Sequence, residues 1–203
     1  RTARRLSAGA ASDDVNRANE TPLVVGGNWQ QPCGGGSVNL TGNRIVSGSG
    51  EALYSWQGAG TFDNTRQFAR SRVVQASGQV GLVLLGASAT QQALVVSWNS
   101  GILYVYWYLN GSHHGELVHE PSVLHDGDEI EAALDHGTIY AKINGVVVKS
   151  VANSTSLSSG RPGFETYLAG AIFDDWEGGI PPAYTISGTI TENGTGLSGV
   201  LVS

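Results

Sequence analysis

Carboxylates are the first residues in this 203-residue chain whose type and spacing could do chemistry. They gather at 126–131, DGDEIE, where strand alternation puts Glu129 and Glu131 on one face. Two carboxylates facing one sugar are the apparatus of glycoside hydrolysis, one giving a proton to the leaving oxygen and the other activating water or attacking the ring. The same stretch also reads as a solvated strand edge. The second candidate is Ile102–Leu109, ILYVYWYL. Alternation there puts Tyr104, Tyr106 and Tyr108 on one face and Val105, Trp107 and Leu109 on the other. One face fills a core. The other suits stacking on sugar rings or packing on a neighbouring subunit, because tyrosine joins an apolar body to a polar tip. A central strand covered on both sides by loops is the plainer alternative.

Other reactive side chains offer less. The five histidines, at 113, 114, 119, 125 and 136, show no zinc-ligand spacing, and His113–His114 falls at an expected hairpin tip in solvent. Cys33 is the only cysteine, so no intrachain disulfide forms; it is either buried or a cross-link between subunits. Neither a Gly-x-Ser-x-Gly elbow nor a phosphate loop occurs. Asn19, Asn39, Asn110, Asn153 and Asn193 each begin an Asn-x-Ser/Thr triplet. These are glycosylation acceptors in a glycosylated surface protein, and turn residues otherwise.

The elements that must position these groups are strands. From 37 to 177, short apolar runs alternate with Gly, Asn, Ser and Asp, as in sandwiches. Strands are expected from Ser37–Leu40 and Arg44–Ser47, through Glu116–Val118 and Asp128–Leu134, to Gly163–Leu168 and Ala171–Trp176. Asn144-Gly145 and Asn110-Gly111 predict two-residue hairpins of type I′, whose two central positions both need φ > 0. No segment holds a helical period with caps. Residues 1–12, carrying Arg1, Arg4 and Arg5, are expected to form an arm. Pro181-Pro182 ends the sandwich, since proline donates nothing to a ladder. Beyond it Tyr184, Ile186 and Ile190 alternate with polar residues, and Leu197, Val200 and Val202 supply a second strand. Two strands alone are marginal in water, so this 180–203 extension needs a partner sheet or the rest of its own domain.

Composition narrows the class. Charged residues are 14% of the chain, against roughly 25% in an ordinary soluble domain. Lys142 and Lys149 are the only lysines, methionine is absent and glycine numbers 29. A net charge of −6 argues against nucleic acid as partner. The longest apolar runs, 79–86 and 102–109, are too short for a helical membrane span. An extracellular, cell-surface or virion protein fits this usage. The chain opens on Arg1 in place of Met, so a processed chain or a piece of a longer product is expected.

Asp13–Leu23, DDVNRANETPL, with Gly-Asn-Trp at 27–29, resembles the opening of the concanavalin A-like, laminin-G-like jelly rolls of bacterial secreted and phage structural proteins. The Gly-Asp strand at 127–134, the Asn-Gly hairpin at 144–145, Gly160–Gly163 and the closing Asp-Asp-Trp at 174–176 extend that resemblance over about 13–179. Residues 184–203 resemble the first two strands of carboxypeptidase-regulatory-like Ig-type modules. The jelly-roll resemblance implies that first and last strands pair and that Asp13, Asp14, Asp174 and Asp175 hold a structural Ca²⁺. The alternative is an Asp that caps a turn or pairs with Arg17. The laminarinase-type glucanases of this fold use a Glu-x-Asp-x-(x)-Glu strand, and Glu129-Ile-Glu131 followed by Ala132 and Ala133 lacks it.

The expectation is therefore an all-β, concanavalin A-like jelly-roll sandwich with a short two-stranded C-terminal extension. Its leading function is a non-catalytic subunit of an extracellular or virion filament, in which a terminal strand docks on a neighbouring copy. The alternative is a lectin-like carbohydrate-binding module of a larger secreted or phage protein. A glycoside hydrolase stands third.

Overall fold

The computed structural model describes residues 10–23, 28–167, 170–181, 191–192 and 195–196. In chain order the strands are β1 (Ala11–Asp13), β2 (Trp29–Gln30), β3 (Ser37–Leu40), β4 (Ile45–Ser49), β5 (Ala52–Trp56), β6 (Arg66–Ala76), β7 (Gln79–Ala87) and β8 (Gln92–Asn99). They continue with β9 (Ile102–Leu109), β10 (Ser112–Pro121), β11 (Glu129–Asp135), β12 (Thr138–Ile143), β13 (Val146–Ala152), β14 (Arg161–Tyr167) and β15 (Ala171–Gly179). A two-residue pair, Thr191–Glu192 with Thr195–Gly196, lies beyond them. No helix occurs among the described residues.

These strands form two antiparallel sheets. One runs β13-β12-β11-β6-β15-β4-β3, with β1 also on β15; the other runs β10-β9-β8-β7-β14-β5-β2. Ala11–Asp13, which straddles the expected limit between arm and sandwich, pairs with Trp176–Gly178, so first and last strands of the sandwich do meet. Both expected hairpins form: Asn144 and Gly145 have φ of 51° and 79°, and Asn110 and Gly111 have 52° and 75°. Glycine serves there because an L side chain is strained at positive φ.

Period-2 alternation fills the space between the sheets, and aromatic rings anchor one end of it. The Trp29 ring sits 5.0 Å from Trp56, 4.8 Å from Phe164 and 4.8 Å from Trp176, all edge to face. That geometry sets ring edge against ring face, the arrangement the aromatic quadrupole favours. The indole nitrogens are satisfied in the same place: Trp29 Nε1 donates to Asp13 Oδ2 at 2.9 Å and Trp176 Nε1 to the Gly163 carbonyl at 3.1 Å. The Gly-Asn-Trp and Asp-Asp-Trp motifs thus deliver core tryptophans.

Candidate binding cleft

Alternation also decides what the seven-stranded sheet shows on its outer face. Leu82, Leu84, Leu94, Val96, Leu103 and Val105 point into the main core. Their neighbours Val83, Ala93, Val95, Tyr106 and Tyr108 point outward, joined by Leu53, Cys33 and the part-buried Tyr104. So apolar an outer face needs a cover, and its own tyrosines supply it: Tyr106 and Tyr108 are only 5% and 7% exposed. Their hydroxyls lie across the face toward Glu51, just before β5. Tyr106 donates to Glu51 Oε1 at 3.2 Å, and Tyr108 donates to Oε2.

A second carboxyl lies beneath. Glu165 of β14 is fully buried, with Oε1 accepting from Gln79 Nε2 at 3.1 Å and Oε2 lying 2.9 Å from Ser97 Oγ. Gly81 makes room for it, since a Cβ there would sit 2.4 Å from Glu165 Oε2. The Gln79 amide nitrogen donates again, to Tyr106 Oη at 3.0 Å. Burial, and after it the charge of Glu51, pushes the Glu165 carboxyl well above the usual carboxylate range, and the Ser97 and Gln79 bonds oppose this without offsetting it. Ser97 Oγ donates to Glu165 Oε2 and also lies 3.3 Å from the Val80 carbonyl oxygen. Burial likewise raises Tyr106, helped by Glu165 and Glu51, and raises Tyr108, helped by its bond to Glu51, so both phenols stay donors. Burial, with Glu51 adding to it, pushes the Cys33 thiol up to about 12, which leaves the buried sulfur without nucleophilic character.

Over this floor lies a cavity of about 380 Å³. Glu51, Gln79 and the three tyrosines line it from the sheet, and His113 and Glu116 of β10 and Tyr167 of β14 complete it. The His113 ring stands 5.4 Å from Tyr106 and 5.8 Å from Tyr108, and the His119 ring 4.7 Å from Tyr104. The three tyrosines therefore do not share one role. Tyr106 and Tyr108 are floor, while the part-exposed Tyr104 and the 38% exposed Tyr167 keep ring surface open to solvent.

The other expected site residues fall elsewhere. Trp107 faces away from the cleft; it packs on the main core, and its ring covers Gly115, where a Cβ would meet it at 2.5 Å. Glu129 and Glu131 sit on β11, an interior strand of the eight-stranded sheet, so they are neither a solvated edge nor near the cleft. Glu131 is bound to Lys142 at 2.6 Å and lies 3.9 Å from Arg70. Asp13 is buried and its carboxylate takes the Val15 amide, the Trp29 indole and the Arg17 guanidinium, the pairing that stood as the alternative to calcium. Asp14 accepts from the Asn16 amide at 3.1 Å, Asp174 lies opposite Arg72, and Asp175 sits at φ 55° in the irregular stretch of β15. Among the described residues, no three His, Cys, Asp or Glu side chains gather as a metal cluster.

Of the five sequon asparagines, Asn19 accepts from the Gly42 amide, Asn153 from Thr155, Asn110 forms its turn and Asn39 lies in β3. Asn193 and the expected docking residues Tyr184, Ile186, Ile190, Leu197, Val200 and Val202 lie outside the described residues. His113 belongs to strand β10 just past the hairpin tip where it was expected, and it is exposed as expected. Sequence reasoning missed Glu51, Gln79, Glu165 and Tyr167. Only Glu165 carried a signal, a lone carboxylate inside the expected strand Gly163–Leu168.

No protein-family model and no curated protein sequence matches the chain. Solved structures do. A carbohydrate-binding module, CBM66 from Bacillus subtilis, superposes with a TM-score of 0.55 at 13% identity, over 72% of this chain and 92% of that one. A prokaryotic β-1,3-1,4-glucanase (lichenase) from a mouse hindgut metagenome gives 0.56 at 9% identity, over 85% and 99%. A Bacillus subtilis protein of unknown function with a galectin-like fold gives 0.50 at 13%, over 75% and 89%. The fold is a concanavalin A-like jelly roll. At these identities the likeness shows the jelly roll alone, which binding modules and glucanases share. No family match bears on the Ig-type resemblance of 184–203.

Proposed function

We propose that this jelly roll is a lectin-like carbohydrate-binding module that works outside the cell, and that the cleft on its seven-stranded sheet is where the sugar sits. The carrying observation is the cleft itself: exposed ring surface on Tyr104 and Tyr167 beside a floor of hydrogen-bonding groups, Glu51 and Gln79, in one cavity. Sugar recognition asks for that pairing, an aromatic plane for the C–H face of the ring and fixed polar groups for its hydroxyls. A volume of about 380 Å³ falls within the range of small-molecule sites. Likeness to a carbohydrate-binding module supports the reading. Binding without turnover is favoured because Glu165 does not line the cavity, both oxygens of Glu51 are held by phenols, and Glu116 at the rim is paired with His119 at 3.1 Å.

The test is a glycan array followed by calorimetry on any hit, with Tyr104→Ala alongside. Retention by the wild type and loss of at least about tenfold in the variant are expected. No retained glycan, or equal binding by Tyr104→Ala, would overturn the assignment.

One observation favours the filament reading. β13 ends the eight-stranded sheet, and Val146, Val147 and Val148 on it are 66%, 48% and 43% exposed, an apolar edge of the kind that accepts another strand. Deleting 180–203 separates the two readings. Sugar binding survives the deletion if the cleft is the functional site, and self-assembly is lost if the C-terminal strands dock on a neighbour.

A further inference from the structure

We infer that the cleft takes an uncharged sugar, which it grips as a hydrogen-bond donor, and that it excludes acidic sugars such as uronates, sialylated or sulfated glycans. The inference rests on the cleft being the glycan site. Its ground is an account of the hydrogens on the cleft floor.

Gln79 has two amide hydrogens, and its nitrogen already donates to Glu165 Oε1 and to Tyr106 Oη. Tyr106 and Tyr108 each have one hydroxyl hydrogen, and both go to Glu51. The donors of the floor are thus spent inside the protein. What remains on the floor is acceptor capacity, since a carboxylate carries about four lone-pair sites and the two phenols occupy only part of the set on Glu51, while the Tyr104 and Tyr167 hydroxyls and the His113 ring are the donors at the walls. Glu116 at the rim adds a second carboxylate. Among the described lining residues there is no Lys or Arg to receive an anion. Sugar hydroxyls are donors and complement such a floor. A ligand carboxylate or sulfate brings more acceptors and meets charge of its own sign in a half-enclosed site.

Matched ligands test this: a neutral oligosaccharide found on the array and the same oligosaccharide with its terminal primary alcohol oxidised to a uronate. Both are titrated at pH 7 and fixed ionic strength into wild type, Glu51→Gln and Glu116→Gln. Like charges a few ångströms apart at a protein surface imply binding of the uronate on the order of tenfold to a hundredfold weaker in the wild type. The gap should narrow in Glu51→Gln, whose amide lacks the charge and offers donors. Glu51→Gln also disturbs the tyrosine anchors, so its fold is checked by near-UV circular dichroism. Glu116→Gln, at the solvent-exposed rim, gives the same readout if the first variant fails to fold. Equal or tighter binding of the uronate by wild type overturns the charge inference while leaving the glycan site standing. Failure to bind either ligand overturns the glycan site and the charge inference with it.

Discussion

Glu165 and Glu177 are two buried glutamates, 0% and 1% exposed, on the outer faces of opposite sheets. Their surroundings differ in one respect. Glu177 meets a guanidinium, Arg70, at 2.6 Å, and the pair belongs to a ladder across four strands: Lys142 on Glu131, Glu131 beside Arg70, Arg70 on Glu177. Strand register puts these charges side by side, with Glu131 opposite both Lys142 and Arg70, and Arg70 opposite Glu177. Glu165 meets the amide of Gln79 and the hydroxyl of Ser97, and burial favours its neutral form. One sheet thus spends its charges on each other and presents a closed polar face. The other hides an acid whose neutral form burial favours, and that acid holds the glutamine that holds a tyrosine of the cleft.

Removing one partner should separate the two faces most sharply. Arg70→Met strips Glu177 of its guanidinium and weakens the hold on Glu131, and a cost of about 3 kcal/mol is expected from breaking a buried pair on one side. Urea denaturation measures it. A loss below about 1 kcal/mol would mean that the ladder is no more than decoration, and the contrast between the sheets would fall.

Glu165 gives the next largest effect and a cleaner one. Glu165→Ala leaves a void and removes the partners of Gln79 and Ser97, for an expected loss of about 2 kcal/mol. Glu165→Gln replaces a neutral acid by a neutral amide of the same shape, and should cost less than about 1 kcal/mol at neutral pH. The direction with pH follows from linkage. The folded-state pKa of Glu165 is raised, so its contribution is fully present below the unfolded glutamate pKa of about 4.3 and is lost as pH climbs toward the folded value. Wild type should therefore lose stability relative to Glu165→Gln between pH 4 and pH 8. Parallel curves over that range would show that Glu165 is ionised and that the two buried glutamates are alike after all.

Local signals made the sandwich readable. Asn144-Gly145 needs only its own two residues to set a turn, and the alternation in β9 settles which face Tyr104, Tyr106 and Tyr108 share. Trp29 and Trp176 stand in motifs whose spacing serves the core. The cleft is a different matter, because its floor joins β9 to Gln79, 27 positions away, and to Glu51, more than fifty away. Nothing around Glu51 or Gln79 marks them as neighbours of tyrosines; the sheet order alone brings them together. His113 reads as a hairpin tip for another reason. Register shifts between His113 and Gly115 and between Glu116 and Val118 break the alternation of β10, so its first half has no strand pattern to read. Glu131 is the opposite case: two acids on one face resemble a catalytic pair, the glucanase motif is lacking in the sequence, and the structure shows the cross-strand cations that hold Glu131.

The smallest effect belongs to a charge pair outside either face. Lys149 of β13 binds Glu120 of β10, joining the edges of the two sheets, with side chains 28% and 52% exposed. Water competes for both groups, and holding two long side chains in one geometry offsets much of the attraction. Lys149→Ala should therefore cost about 0.3 kcal/mol, and added salt should erase the difference from wild type. The comparison with Arg70 is the point of the measurement. Both are cations on carboxylates at close range, and they differ chiefly in how well the carboxylate is shielded. A loss above 1 kcal/mol for Lys149→Ala would make proximity, and not exclusion of water, the quantity that sets what a charge is worth in this sandwich.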